Sequence, residues 1–409
     1  MKPADILRFL FGHRGAIERI ATSRSSLGIG LLLVLTAGIA RNYDHLDLRR
    51  EFEWFLGPIL VSLFSAFFIF FFVRRRLSLS KEVPPYRQFG PFLALFWMTA
   101  PIAWLYGIPV ESFTDIITAT KYNIALLGIV SLWRVLLMAH AVAHLTGSPR
   151  WACLITILCP ASFEMWIGSL HKGMSLVSIM GGVRLPPHEQ IIQDVTSTVA
   201  TLSFFLFLIL VVMLLTTPRK RWAATKELGF KGNQAQPSTW FAALLCLGAW
   251  GLASLSHQPL IRNQRTLESL IRDERYREAI DFTSATGLEG FSKIHELPPG
   301  AARYGLYRLK DLIPALQDTD PAWLRKIWVE QAMEAIATQT SFGRENPYEM
   351  LFLHDDNLRI FLKHEEMIRN GIKDSRYAEK WVEEQLDLLD QNLRRARSHL
   401  GAEEPIDES

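Results

Sequence analysis

Apolar residues in the first 256 positions are gathered into seven stretches, and short charged segments separate them. A helix needs roughly 20 apolar residues to cross a bilayer, and each stretch approaches or exceeds that length. The stretches are residues 25–40, 54–73, 88–110, 122–148, 151–170, 195–218 and 240–256. The first is short and the fifth contains Pro160 and Glu164, so these two are the weakest candidates. The pattern predicts an all-α, polytopic helical membrane bundle of about seven spans, over residues 25–256.

The segment before the first span has a different pattern. Within residues 1–24, positions 3–20 place Ile6 and Phe9 on one side of a helix and Arg8 and Arg14 on another. An amphipathic helix of this kind lies in the headgroup plane of a membrane. We therefore predict an amphipathic interfacial N-terminal helix here, with a plain cytoplasmic tail as the alternative.

Beyond position 256 the apolar residues recur with a period near 3.6, and charged residues separate them, which is typical of amphipathic helices in a soluble domain. Helices are predicted near residues 301–316, 321–340, 346–370 and 375–399. Residues 257–400 are therefore predicted to form a soluble α-helical domain. The acidic tail over 401–409 is predicted to be disordered.

The distribution of charged residues predicts an orientation for the bundle in the membrane. Residues 1–254 carry 23 Lys and Arg against 13 Asp and Glu, whereas residues 255–409 carry 21 against 28. With a cytoplasmic N-terminus, the inside segments hold sixteen basic residues and the outside loops hold six. This bias follows the positive-inside rule and places the C-terminal domain outside the cytoplasm, provided that all seven stretches span. The basic residues flank apolar spans, which fits the lipid bilayer as a partner and argues against nucleic acid.

Sequence motifs for chemistry are few. Cys153, Cys159 and Cys246 all lie in apolar stretches, so neither a disulfide framework nor a thiolate zinc site is indicated. The chain has no phosphate-binding glycine loop, no Gly-x-Ser-x-Gly elbow and no Cys-x-x-Cys pair. These observations predict no cofactor and make an enzyme the less favoured class of protein.

A histidine pair is the first candidate site. His140 and His144 are four residues apart, so a helix places them on one face, and Glu164 in the next span is a candidate third metal ligand. The alternative is a structural or interfacial pair of histidines, since no HExxH motif supplies a general base.

An intramembrane polar pair is the second candidate. Arg134 sits well inside its span, and Glu164 is the nearest acidic residue in the sequence. Charged residues inside membranes pair with each other or mark a solute path. Pro101 and Pro160 are expected to break two spans, and residues 175–187 form either a re-entrant segment or an interfacial loop.

The stretch AHAVAHLTGSPRWACLITILCPASFEMW resembles a recurring piece of the Yip-type polytopic membrane proteins. The resemblance rests on Gly147, Ser148, Trp151 and Pro160, and covers residues 50–216 at most. It implies a bundle of about five spans with a cytoplasmic N-terminus, and it carries over no functional residue. The additional spans and the long soluble end depart from that family.

Three functional hypotheses follow. The first is a scaffold or accessory protein of a bacterial inner membrane, whose extracytoplasmic helical domain binds a protein partner. The second is a small-solute transporter or channel that uses Pro101, Arg134, Pro160 and Glu164. The third is an intramembrane metalloenzyme that uses His140, His144 and Glu164.

Overall fold

The computed structural model describes residues 1–43, 47, 50–51, 53–77, 83–110, 113–173, 187–217, 234–291, 309–338, 346–373 and 379–401. Every regular element within these ranges is a helix, which confirms the all-α prediction for this part of the chain. The chain forms two compact units. The first comprises Met1–Gly173 and Ile191–Gln258, and the second contains the chain from Pro259 onward.

Two short helices begin the first unit, α1 (Pro3–Leu10) and α2 (Arg14–Thr22). Gly12 joins them with φ of 75°, a left-handed conformation that glycine adopts without a steric penalty. The single helix expected over residues 3–20 is therefore divided into a hairpin. Asp5, in the first turn of α1, connects the two helices at the end away from Gly12. It accepts hydrogen bonds from the backbone of Lys2 at 2.7 Å and from the Arg19 side chain on α2 at 2.8 Å.

Seven longer helices follow, and all seven contain a segment long and apolar enough to cross a membrane. They are α3 (Ser25–Asn42), α4 (Glu53–Arg76), α5 (Pro85–Trp97) with its continuation as a 3-10 helix (Ala100–Gly107), α6 (Ile116–Thr146), α7 (Arg150–Gly173), α8 (Pro187–Thr216) and α9 (Pro237–Arg272). The seven apolar stretches predicted from the sequence, including the two weakest candidates, all form helices of this length.

The two prolines expected to break spans behave differently. At Pro101 the backbone has left the α-helical conformation and continues as the 3-10 helix, so this span is broken. At Pro160 the helix α7 continues without interruption. A proline removes one backbone donor, and neighbouring helices can compensate for this loss inside a membrane bundle.

Each spanning helix divides its apolar residues between the interior and the surface. On α4, Ala66 and Val73 are fully buried, whereas Val61 and Phe64 are about two-thirds exposed. Large apolar side chains exposed in this number are unusual on a water-soluble protein. A surface of this kind is what helices that cross a membrane are expected to present to lipid tails.

Contacts at the two ends of α3 and α9 show that these helices run in the same direction. At the first end, the carbonyl of Met1 accepts a hydrogen bond from Thr239 at 3.0 Å. At the other end, the carbonyl of Tyr43 accepts one from Ser254 at 3.2 Å, and the Tyr43 ring packs edge-on against His257. Met1 and His257 therefore lie at opposite ends of the first unit.

The second unit is built from shorter helices around its own core. They are α10 (Tyr276–Thr286), α11 (Ala322–Thr338), α12 (Asp355–Lys363), α13 (Glu365–Lys373) and α14 (Glu379–His399), with 3-10 helices at Leu288–Gly290, Ile313–Ala315 and Glu349–Leu353. The single helix expected over residues 346–370 is divided into three elements. The segment 175–186 and the tail beyond residue 401 lie outside the described residues.

Large aromatic side chains fill the core of the second unit. Trp328 and Tyr348 are fully buried, and the Tyr348 ring lies 5.2 Å from that of Phe361. The end of α9 contributes Leu267 and Ile271 to the same cluster. The long helix α9 therefore supplies apolar residues to a span at its start and to this core at its end.

The ion pair of Arg277 with Asp320 closes one side of this core. Both guanidinium terminal nitrogens donate to the nearly buried carboxylate, at 2.7 and 2.8 Å, and the backbone of Gln317 donates at 2.6 Å. The hydrogen bond from Arg277 is the main reason that the pKa of Asp320 lies below its ordinary value, although burial opposes it. A carboxylate held in this way stabilises the folded state while it is ionised.

We expect Asp320→Asn to lower the free energy of unfolding of the second unit by about 2 kcal/mol at neutral pH, because a charge-assisted pair is lost. Because the folded pKa is lowered, the wild-type advantage is present above the unfolded pKa of about 3.9 and disappears as pH falls through the folded pKa. Thermal unfolding of both proteins between pH 7 and pH 3 measures this. Asp387→Asn, at an exposed carboxylate, is the control and should have little effect at any pH.

Candidate functional site

Five polar residues of the first unit, on α4, α6, α7 and the segment from Thr99 to Tyr106, are at least partly buried. We call this set the polar cluster and define it as Ser65, Thr99, Tyr106, Arg134 and Glu164. Arg134 and Glu164 were predicted from the sequence, and the structure adds the other three. Charged groups inside a membrane bundle are costly and are therefore candidates for a functional role.

Arg134 points into the bundle. Val130 and Leu137, one turn away on either side of it, are buried, whereas Leu132 and Leu136 face outward. The Nε atom of Arg134 donates to the Thr99 hydroxyl at 3.0 Å. Its guanidinium carbon lies 5.0 Å from the centre of the Phe96 ring, a cation–π contact that partly replaces lost hydration.

Thr99 can receive this hydrogen bond because the helix changes form beside it. Its hydroxyl proton is donated to the carbonyl of Phe96 at 2.6 Å, which leaves the oxygen free to accept from Arg134. Thr99 lies between the end of α5 and the 3-10 helix that contains Pro101. The proline was the only signal in the sequence that marked this position, and it did not identify the threonine.

Glu164 lies on α7, and the Ser65 side chain on α4 lies near its carboxylate. Its Oε1 atom is buried and has no hydrogen-bond partner among the described residues. Glu164 and Arg134 lie within electrostatic range of each other. However, no nitrogen–oxygen contact of 4.0 Å or less joins these two described side chains. The polar cluster thus brings the predicted pair near each other without a direct salt bridge.

His140 and His144 contact the N-terminal hairpin. Together with Trp133 they form a row of hydrogen bonds from α6 to α1, Gly12 and α2. The three contacts are Trp133 Nε1 to the Leu10 carbonyl at 2.9 Å, His140 Nε2 to the Gly12 carbonyl at 3.0 Å, and His144 Nε2 to Glu18 Oε1 at 2.9 Å. The ends of the row, Trp133 and His144, are eleven residues apart on α6, or about 16 Å at 1.5 Å per residue. The hairpin therefore lies alongside α6.

The metal hypothesis required His140, His144 and Glu164 to converge. In the part of the chain that the structure describes, no three His, Cys, Asp or Glu side chains lie close enough together to hold a metal ion. The two histidines are instead engaged by Gly12 and Glu18, as described above. Cys153, Cys159 and Cys246 are free thiols, the first two of them buried.

The hairpin turns its apolar side toward the bundle. Phe9, Ile17 and Ile20 are fully buried in the main core of the first unit, whereas Leu7 and Phe11 are largely exposed. Most of the apolar surface attributed to an interfacial helix thus packs against protein. Its position at the membrane surface remains a prediction, to which Leu7, Phe11 and the exposed Arg8 and Arg14 are suited.

We expect Phe9→Ala to destabilise the first unit by about 3–5 kcal/mol, the usual cost of deleting a buried phenylalanine. Phe11→Ala, two residues along, removes the same group from a side chain that is 78% exposed and should have a much smaller effect. The thermal unfolding midpoint of the full chain in detergent distinguishes the two. Equal losses would mean that the hairpin does not occupy this position in the bundle.

The fold and its surface define an all-helical protein with seven helices that are apolar enough to cross a membrane. Comparisons with family models, with curated proteins and with solved structures found no match to this chain. The resemblance to Yip-type membrane proteins therefore stays a prediction.

Proposed function

We propose that the chain is a multi-pass scaffold or accessory protein of a bacterial inner membrane. In this proposal the bundle anchors the second unit outside the cytoplasm, and the second unit binds another protein. The observation that carries the proposal is the separate core of the second unit, centred on Trp328 and Tyr348. A unit with its own core does not depend on the bundle for burial, so its surface is available for a partner.

Contacts at the two ends of the first unit support this orientation of the bundle, with a cytoplasmic N-terminus. Arg74, Arg75 and Arg76 form the last turn of α4. The Arg76 guanidinium donates to the carbonyl of Thr217, just beyond α8, so these two helices finish at the same end. The positive-inside rule makes this the cytoplasmic end. His257 lies at the end of the first unit opposite Met1, so in this proposal the chain leaves the bundle at its extracytoplasmic end.

One surface of the second unit has the composition of a protein interface. We call it the aromatic–arginine surface, formed by Phe352, Leu353, Arg395 and His399. The Arg395 guanidinium carbon lies 4.1 Å from the centre of the Phe352 ring, and the His399 ring meets that ring edge-on. Leu353 is about half exposed. Arginine and aromatic side chains dominate binding energy at interfaces, and a pre-stacked pair loses less entropy on binding.

Photo-crosslinking in intact cells tests the proposal. A photoreactive phenylalanine analogue at Leu353 should give a discrete protein adduct, because this position is exposed on the aromatic–arginine surface. The same analogue at Glu384, an exposed site on α14, is the matched control and should give none. Arg395→Ala should weaken the Leu353 adduct without changing the amount of protein. If no adduct forms at Leu353 in cells, the partner-binding function at this surface is wrong.

A further inference from the structure

The N-terminal hairpin carries positive charge that its own acidic residues do not neutralise. Residues 1–24 contain five Lys and Arg against two acidic residues, Asp5 and Glu18. Both carboxylates are already engaged, Asp5 by Arg19 at 2.8 Å and Glu18 by His144 at 2.9 Å. The other cations of the hairpin therefore have no carboxylate of this segment left to pair with.

Two of these cations lie beside exposed apolar side chains. We call Leu7, Arg8, Phe11 and Arg14 the outer face of the hairpin, and all four are exposed. Leu7 and Phe11 are 63% and 78% exposed and lie one helical turn apart, so they share one side of α1. Arg8 is three residues before Phe11, and Arg14 is three residues after it, beyond the turn at Gly12. The outer face thus combines large apolar groups with unneutralised guanidinium groups.

The apolar part of the outer face continues onto an exposed apolar surface of the bundle. The ring of Phe11 lies 5.8 Å from the ring of Trp133 on α6. Leu132 and Leu136, which lie close to Trp133 on the same helix, are themselves 59% and 48% exposed. Because α6 is apolar enough to cross a membrane, its exposed leucines suit lipid, and the adjoining Phe11 suits the same surroundings.

We propose that the outer face is a binding surface for anionic phospholipid. Leu7 and Phe11 enter the boundary between headgroups and acyl chains, while Arg8 and Arg14 bind headgroup phosphates. A guanidinium group matches the geometry of a phosphate and can bind it through two parallel hydrogen bonds. Surfaces of this composition bind through buried apolar area together with electrostatic attraction to anionic lipids.

The inner side of the hairpin connects lipid binding to the stability of the whole first unit. Phe9, Ile17 and Ile20 are fully buried in the main core of that unit. The hydrogen bonds from Trp133 and His140 to the hairpin hold it in place before lipid arrives. A lipid that binds the folded hairpin should therefore stabilise the bundle against unfolding. This inference concerns the first unit alone and stands independently of the partner-binding function of the second unit.

The test is lipid-dependent thermal stabilisation of the purified full chain in detergent. Phosphatidylglycerol and phosphatidylcholine with the same acyl chains are added to the micelles at equal mole fractions, and the unfolding midpoint is measured. Glycerol 3-phosphate, which has the phosphate without acyl chains, is the third probe. Phosphatidylglycerol should raise the midpoint more than either of the other two probes, and high salt should reduce the difference.

Substitutions on the outer face locate the effect. The double variant Arg8→Gln with Arg14→Gln should need about 25-fold more phosphatidylglycerol for the same rise, since each cation near an anionic surface contributes about fivefold in affinity. Arg359→Gln with Lys363→Gln removes two exposed cations from the second unit and is the matched control. It should respond to lipid as the wild type does. Phe11→Ala should also weaken the response to phosphatidylglycerol, although it changes the stability without lipid very little.

Three results would overturn the inference. The first is that phosphatidylglycerol and phosphatidylcholine raise the midpoint equally, which is also the result expected if an acidic protein occupies this face. The second is that glycerol 3-phosphate alone reproduces the rise. The third is that the Arg8 and Arg14 double variant responds to phosphatidylglycerol as the control variant does. The first two results need only the wild-type chain, so a variant that fails to fold does not prevent the test.

Discussion

Alkaline phosphatase fused after Ser409 is expected to be active in cells, because an odd number of spans carries the chain from a cytoplasmic N-terminus to the outside. Seven helices are long and apolar enough to span. Hydrogen bonds also place Met1 beside the start of α9 and Tyr43 beside Ser254, so the chain leaves the bundle at the end opposite its beginning. A green fluorescent protein fused at the same point should stay dark, since it does not fold after export through the general secretion pathway.

Two further fusion points act as internal controls for this topology. A fusion after Arg76 should be inactive as a phosphatase and fluorescent with green fluorescent protein, because α4 ends at the basic side. A fusion after Gly107, at the end of the 3-10 helix, should show the reverse pattern. A fluorescent fusion at Ser409, together with the expected pattern at the two controls, would mean that one helix after α5 does not cross the membrane.

The seven apolar helices could be predicted from sequence because they depend on a property that is local to each stretch. About 20 apolar residues in a row form a helix in lipid whatever surrounds them, since the backbone must satisfy its own hydrogen bonds there. The run from Leu63 to Val73 is recognisable without knowledge of its neighbours. The sequence could not show that the α-helix ends before Pro101 but continues through Pro160. That difference depends on which neighbouring groups compensate for the missing backbone donor.

The local sequence pattern predicted the amphipathic character of the N-terminal hairpin but not the surface that the hairpin packs against. The amphipathic periodicity of residues 3–20 is real, but periodicity does not say whether the apolar face meets lipid or protein. Gly12 was a visible signal for the division into two helices, since a left-handed residue ends a helix. The acceptors that engage His140 and His144 are more than 120 residues away in sequence, so their structural role depended on the tertiary fold.

The sequence predicted the two charged residues of the candidate site and missed its neutral residues. Arg134 and Glu164 attract attention because charge is rare inside a span. Thr99, Ser65 and Tyr106 are ordinary residues in membrane helices, and only their position beside the two charges makes them part of the site. The direct pairing of Arg134 with Glu164 seemed the natural arrangement from sequence, and their separation depends on the neighbours that hold each side chain.

The second unit contains the features that an independently folding domain needs. Its core includes the fully buried Trp328, Val329 and Met333 on α11, with Leu358 and Phe361 on α12. Salt bridges connect its helices at the surface, among them Arg369 with Asp390 and Arg397 with Glu365. The part of α9 beyond His257 belongs to this core through Leu267 and Ile271, so a fragment that begins at residue 257 retains both residues.

Residues 257–409 expressed alone are expected to form a soluble helical domain with a cooperative thermal transition, because a chain of about 150 residues can bury a sufficient core. Circular dichroism at helical wavelengths measures both the helix content and the transition. Trp328→Ala should lower the stability of the fragment by about 3–5 kcal/mol, since it empties a fully buried site. Leu353→Ser, at a side chain that is 52% exposed, should leave the transition nearly unchanged. An aggregated fragment, or one without a cooperative transition, would mean that these helices require the bundle or its loops to complete their core.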